Sequence, residues 1–184
     1  EKSKSIELVV YQVLFDQKIN TSLSLFYNNF EDLIDFDERP PPVLVNRDEV
    51  DAKGVEYSLD INLNPNLGFG GNVSYTKTDI INSDEELRNR PEWLGNVYVN
   101  LKPDEKFNLY ISGNYIGETL DSSIPTGDVT LDDYFLLNGS FTYFINNNFK
   151  IYIHLENILD TDYEQFIGFD TPGFRPTVGV QASY

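Results

Sequence analysis

The sequence predicts an all-β fold: an antiparallel up-and-down meander whose strands are long enough to cross a lipid bilayer as the wall of a transmembrane β-barrel. Three observations carry this. The hydrophobic period is close to two over most of the chain, which places alternate side chains on opposite faces of extended strands. Most of the runs reach the roughly 9–11 tilted residues that span a hydrocarbon core, longer than the usual soluble strand of about 5–6. Short and long connections strictly alternate, so all tight turns fall at one end of the meander and all long loops at the other.

Taken in order, nine strands are expected at roughly 5–15, 19–30, 48–63, 67–79, 93–102, 107–117, 133–145, 149–156 and 174–184. The first two are joined across Asp16 to Lys18. The third puts Val55, Tyr57, Leu59, Ile61 and Leu63 on one face and Glu56, Ser58, Asp60 and Asn62 on the other. It turns through Asn64 to Asn66 into the fourth, and the fifth starts at Trp93 and ends before the Pro103 to Lys106 turn. The sixth sets Phe107, Leu109, Ile111 and Tyr115 against Asn108, Tyr110, Ser112 and Asn114. In the seventh, Phe135, Leu137, Gly139, Phe141 and Tyr143 alternate with Asn138, Ser140 and Thr142. Asn146 to Asn148 then leads to the eighth, with Phe149, Ile151, Ile153 and Leu155 opposed to Lys150, Tyr152, His154 and Glu156. The last places Val178, Val180, Ala182 and Tyr184 on one face. The long links, Glu31 to Arg47, Ile80 to Glu92, Glu118 to Asp132 and Asn157 to Gly173, hold most of the prolines and much of the acidic charge. One face of the wall is thus apolar, as lipid requires. The other, with Glu56, Asp60, Asn96, Asn100, Asn108 and Asn114, suits a wet or protein-filled lumen.

Composition narrows the function classes. The 184 residues carry 13 Lys and Arg against 30 Asp and Glu, a formal net charge of −17, yet 40% are hydrophobic and 14% aromatic. That apolar content argues against the disorder such acidity often signals. The acidity excludes nucleic acid as a partner, since phosphate binding needs a basic surface. With no cysteine there is neither a disulfide framework nor a thiolate metal site, and no apolar run approaches the length of a membrane helix. No nucleophile elbow and no second histidine accompany His154, so no enzyme activity, cofactor or metal site is expected. The acidic loops carry Asp79, Asp84, Glu85 and Glu86, and Asp128, Asp132 and Asp133, without EF-hand spacing for Ca²⁺.

Nine is an odd count, whereas hairpin-built outer-membrane barrels of bacteria have even ones, and an open sheet leaves unpaired edges in lipid. The chain is therefore expected to be the closing arc of a larger barrel, residues 1–184 forming its C-terminal portion.

Four stretches resemble the TonB-dependent outer-membrane receptors of Gram-negative bacteria. They are Val50-Asp51-Ala52-Lys53-Gly54-Val55-Glu56, Asn89-Arg90-Pro91 before Trp93, Asn114-Tyr115-Ile116-Gly117, and His154-Leu155-Glu156-Asn157-Ile158-Leu159-Asp160-Thr161-Asp162-Tyr163-Glu164 followed by Gly168-Phe169 and Thr171-Pro172-Gly173. Arg175 falls one place later than the family's Arg after Pro-Gly, with Phe174 between. The resemblance implies a 22-strand barrel around an N-terminal plug. The plug and the N-terminal strands would lie outside this sequence. It further implies import of a scarce nutrient (a ferric siderophore, haem or cobalamin) with energy drawn from the TonB complex through the plug. Outer-membrane lipid and the barrel-assembly machinery are the other partners implied. The alternatives are a plug-less porin or adhesin barrel and a soluble β-sandwich binding module.

Candidate ligand contacts are loop aromatics and arginines able to stack on and ion-pair with an anionic chelate: Phe36, Arg39, Arg88, Arg90, Tyr163, Phe166 and Phe169. Packing within the loops is the plainer role for each. Val178, Val180, Ala182 and the terminal Tyr184 resemble the assembly signal of outer-membrane barrels, with interfacial anchoring as the simpler role of the tyrosine.

Overall fold

Alternating side chains and β-rich segments build long antiparallel ladders, each strand paired with its chain neighbour. A computed structural model describes residues 1–37, 43–123 and 125–183. Its strands are β1 (Lys2–Leu14), β2 (Ile19–Asp37), β3 (Val43–Asn64), β4 (Leu67–Ile80), β5 (Trp93–Leu101), β6 (Phe107–Ile116), β7 (Thr119–Ser123), β8 (Gly127–Leu131), β9 (Tyr134–Phe144), β10 (Phe149–Glu156) and β11 (Arg175–Ala182). Nine of them form one sheet in the order β1-β2-β3-β4-β5-β6-β9-β10-β11, and β7-β8 form a separate hairpin. The nine expected strands are all present. The sheet is open: β1 and β11 each pair on one side only, as in an arc of a barrel.

Two of the long links contain more structure than their composition suggested. β2 and β3 continue past the expected ends as a projecting arm, pairing Leu33 with Arg47 and Asp37 with Val43. The link between β6 and β9 holds the β7-β8 hairpin, which pairs Thr119 with Leu131 and Ser123 with Gly127. In both places β-forming residues are interleaved with acids, and backbone pairing prevails over the charge.

The tight turns are pinned by short polar side chains. Asn64 Oδ1 accepts from the Asn66 N–H at 2.8 Å, Asp104 Oδ1 from Lys106 at 2.7 Å, and Asn146 Oδ1 from Asn148 at 2.9 Å. This is the Asx turn, a local reason for Asn and Asp at these positions. The first turn instead runs Phe15, Asp16 and Gln17 through left-handed φ of 52°, 54° and 69°, closed by Lys18 N–H to Phe15 O at 3.2 Å.

Register aligns the faces across the sheet. Ser22, Ser58, Asn72, Asn96 and Asn114 form one polar row, with the Ser22 and Ser58 hydroxyls 2.8 Å apart and Asn96 Nδ2 donating to Asn114 Oδ1 at 2.8 Å. On the same face the Tyr98 hydroxyl donates to Asp60. The opposite face carries rows such as Ile19, Ile61, Phe69, Val99 and Ile111. Alternation thus gives a wall that is polar inside and apolar outside.

Near the long loops the two faces exchange character. The last apolar row on the outer face is Leu25, Val55, Tyr75 and Trp93, with the Tyr75 and Trp93 rings 4.8 Å apart. The next rows outward are Tyr27, Lys53 and Lys77, then Asn29, Asp51 and Asp79, then Glu31 and Glu49. On the inner face the same strands become apolar, with Phe30, Val50 and Ile80 in one row and Val50 only 1% exposed. Among the described residues the buried apolar side chains are Val50, Ala52, Ile80 and Leu131, all at this end. The water-free core of the chain therefore lies above the lipid-facing band, where the outer surface meets water. The band itself, Leu67 to Tyr75 on β4, matches the roughly 9–11 residues that cross a bilayer.

Candidate functional site: the clasped loop end

The site is built where the β2-β3 arm, the segment 81–92, the β7-β8 hairpin and the segment 157–174 meet. Arg47 on the arm pairs with Asp35 at 3.2 Å and with Glu85 of the neighbouring segment. The Ile81 N–H donates to Glu49 O at 2.9 Å, extending the β3-β4 ladder into that segment.

Asp121 on β7 holds three segments together. Its carboxylate, 6% exposed, accepts from the Ser122 N–H at 2.9 Å and from the Ile167 N–H at 2.8 Å, with the Asn89 amide at 3.4 Å. Asn89, in left-handed conformation at φ 54°, also donates its backbone N–H to Leu120 O at 2.8 Å, and Arg88 donates to Ser122 O at 3.4 Å. A buried carboxylate is tolerable because backbone donors from two segments converge on it.

The segment after β10 is shaped by the motif that carried the resemblance. Asn157, buried and at φ 48°, exchanges hydrogen bonds with the Thr161 backbone at 2.9 Å in both directions and thereby closes a turn. Asp160 Oδ1 accepts from the Phe174 N–H at 2.7 Å, returning the chain to β11. Arg175 is displaced by one in sequence but engaged all the same, its Nε donating to Glu156 at 2.6 Å on the paired strand.

The candidate ligand contacts are distributed as follows. Arg88 and Arg90 lie in the segment clasped by Asp121, and Arg90 donates to Asn89 O at 3.0 Å. Tyr163 stacks on Tyr134 with centroids 4.5 Å apart, and its carbonyl accepts from Thr171. Phe166 and Phe169 meet edge to face at 6.4 Å and stand 51% and 69% exposed beside the Ile167 clasp. Phe36 is on the arm, its backbone paired with Leu44, and Arg39 lies outside the described residues. Of the assembly candidates, Val178 and Val180 pair with Ile153 and Ile151, and Ala182 with Phe149, on the apolar face; Tyr184 lies outside the described residues.

Two cavities open here. The larger, about 750 Å³, lies between the end of β4, the segment 81–92 and the β7-β8 hairpin. Lys77 and Arg90 line it against Asp79, Asp84, Glu85, Glu86, Glu92, Glu118 and Asp133, with Trp93 and Tyr115 at its base. The second, about 510 Å³, is bordered by Tyr110, Ser112, Asn138, His154, Tyr163 and Arg175. Among the described residues no group of three or more His, Asp or Glu is disposed to hold a metal ion. Asp121 and Asn157 are the residues that sequence reasoning missed as organisers of this end. Asn157 sat inside a recognisable motif, whereas nothing in the sequence separates Asp121 from the other loop acids.

The polar-inside wall, the aromatic belt and the organised loop end agree with a comparison against protein families: residues 1–158 match the family described as TonB dependent receptor-like, beta-barrel. The chain belongs to this family. It is an all-β receptor barrel segment of the Gram-negative outer membrane, in a family of receptors and transporters and not of enzymes. The vitamin B12 transporter BtuB of Vibrio cholerae is 30% identical to it over 79 residues, 42% of this chain and 11% of that protein. The fold superposes on the ferripyoverdine receptor of the outer membrane of Pseudomonas aeruginosa with a TM-score of 0.80 and 16% identity, covering 98% of this chain and 27% of the receptor. On the siderophore receptor PiuA from Acinetobacter baumannii the TM-score is 0.79 with 13% identity, covering 99% and 28%. The receptor chain described here thus spans about a tenth of the length of the curated relatives it matches.

Proposed function

We propose that this chain forms the closing arc of a 22-strand barrel that surrounds a plug supplied by residues outside this sequence, and that the complete receptor imports a scarce nutrient with energy from TonB. The observation that carries the proposal is the clasped loop end above a polar wall: a receptor must hold its ligand outside before passing it inward, and here three segments are organised around one buried carboxylate. Phe166 and Phe169, with Arg88, Arg90 and Tyr163 nearby, offer the aromatic and cationic surface for a chelate. A ferric siderophore is the first substrate class, in line with the siderophore receptors of the same fold. Cobalamin is favoured as the second by the similarity to a vitamin B12 transporter.

The test is growth of a receptor-deficient strain expressing the complete receptor, with candidate ferric chelates, haem or cobalamin as the limiting nutrient. One class is expected to restore growth. Replacing Phe166 and Phe169 together by Ala is expected to weaken binding about tenfold, the usual scale for losing aromatic anchors. If no nutrient rescues growth while small solutes leak through the barrel, the plug-less porin is the correct alternative.

The same receptor tests the assembly role of its last strand. Deleting Tyr184 is expected to lower its abundance in isolated outer membranes several-fold on immunoblot, with no change in transcript. Equal abundance would leave the tyrosine as an anchor only.

A further inference from the structure

β1 is apolar on both of its faces, which sets it apart from the strands beside it. Leu8, Val10 and Leu14 pair with Leu25, Leu23 and Ile19 on the lipid side. Val9, Tyr11 and Val13 pair with Ser24, Ser22 and Asn20, so they point to the lumen, where they stand 55%, 64% and 45% exposed. The same rows continue as Glu56, Ser58 and Asp60 on β3 and as Ser74, Asn72 and Gly70 on β4. Water suits those side chains and does not suit the three on β1. A strand that reads as a nearly continuous apolar run is one buried on both sides. Lipid covers one side of β1, and protein must cover the other.

The row that begins at Val13 leads across the sheet to a cavity. It runs Val13, Asn20, Asp60, Gly70 and Tyr98, and Tyr98 borders a hollow of about 530 Å³ at the turn end of the inner face. Asn62, Asn64 and Asn100 line it together with Lys18 and Lys102. Its frame is fixed, since the Asn62 N–H donates to Lys18 O and the Lys102 N–H to Asn66 O, each at 2.7 Å. The Oδ1 of Asn100 is buried without a hydrogen-bond partner, as is Asn108 Oδ1 on β6. Buried acceptors in that state call for donors from outside the sheet. Charge is balanced here: Lys18 and Lys102 stand against Asp16 and Asp60, the last already accepting from the Tyr98 hydroxyl. Recognition therefore falls to apolar contact and to the amides.

We infer that the inner face of β1 and this hollow together form the seat of one extended segment of the plug. Apolar side chains of that segment lie against Val9, Tyr11 and Val13, and its backbone N–H groups donate toward Asn100. Four strand spacings separate Val13 from Tyr98, about 19 Å, which is the reach of about six extended residues. The occupant belongs to the same receptor, because the lumen face is reached only from within the barrel. The chain covers 27% of the ferripyoverdine receptor, so most of such a receptor lies beyond the part it matches. The plug is thus fastened to one sector of the wall, β1 to β5 at the turn end, while the polar inner face of β6 is left to water. This inference rests on the plug proposed above.

In the complete receptor, p-benzoylphenylalanine is placed at Tyr11 or, on the polar row of β6, at Asn114, and cross-linked peptides are identified by mass spectrometry after irradiation of whole cells. The position of Tyr11 is expected to capture a plug peptide in several-fold higher yield than that of Asn114. Capture of only a neighbouring wall strand or lipid there, or equal plug yields at both positions, overturns the seat. A receptor whose full sequence holds no plug would defeat both this inference and the reading it rests on, whereas a plug that is present and not captured defeats the seat alone. Val9→Asn, Tyr11→Asn and Val13→Asn combined are expected to raise nitrocefin entry, read by a periplasmic β-lactamase, about tenfold as the plug loosens. Unchanged entry also overturns the seat. Should the triple variant fail to fold, judged by its gel mobility with and without heating, the cross-linking comparison decides alone.

Discussion

A Gly54→Val receptor is expected to fold poorly or not at all. Gly54 sits where the Phe26 ring of the adjacent strand lies across it, and a Cβ there would stand 2.5 Å from the ring Cζ and against the Tyr75 carbonyl oxygen as well. The ring can rotate. The carbonyl cannot, because Gly54 and Thr76 are cross-strand partners in a ladder that continues on both sides. Overpacking of this kind costs about 3 kcal/mol when the backbone must shift. The expected result is loss of the heat-modifiable band on a denaturing gel and a markedly lower urea midpoint on refolding into lipid vesicles, with Gly54→Ala falling between. Adding Phe26→Leu should restore only the share due to the ring. An unchanged midpoint for Gly54→Val would mean that β3 and β4 can separate locally at no cost, contrary to this packing.

The second large effect is expected for Asp121→Ala, and in a different place. Removing the carboxylate leaves the Ser122 and Ile167 N–H groups without their acceptor in a buried setting, and hydrogen bonds to a charged group are among the stronger ones. The loss should be about 3 kcal/mol, confined to the packing of the segments that Asp121 joins. Trypsin gives a direct readout. Arg88 lies in a clasped segment, and cleavage after it should quicken about a hundredfold, in proportion to the open population. The wall should keep its heat-modifiable mobility. Asp121→Asn should fare little better, since one amide hydrogen would then face a backbone donor. Equal cleavage rates in variant and wild type would show that the segments are held by other contacts.

The strands were legible because a bilayer imposes a strict rule on them. Val55, Tyr57, Leu59 and Ile61 against Glu56, Ser58 and Asp60 can be arranged in only one way when one side is lipid, so period and length located all nine wall strands, although β2 and β3 run on to Asp37 and back to Val43, well past their expected loop ends. Above the belt that rule lapses. Val50 and Ile80 turn apolar side chains to the inner face while Asp51 and Asp79 face outward, so the alternation persists with its meaning reversed. The β7-β8 hairpin was hidden for a related reason: Asp121 and Asp128 make a five-residue strand pair look like a solvated acidic loop. The importance of Asp121 is decided by Ile167, which lies 46 residues away in sequence, and no local pattern carries that information. Arg175 shows the converse, since its ion pair with Glu156 follows from the register of β10 and β11 despite the extra Phe174.

The β7-β8 hairpin adds no strand to the wall, because β6 pairs directly with β9 beneath it. Its length and sequence can drift without disturbing barrel closure. Yet its Asp121 ties it to two other segments, so it is not free to drift alone. A change in any one of the three segments must then be matched in the other two, and recombination between related receptors would succeed at crossovers that carry them together and fail at those that divide them.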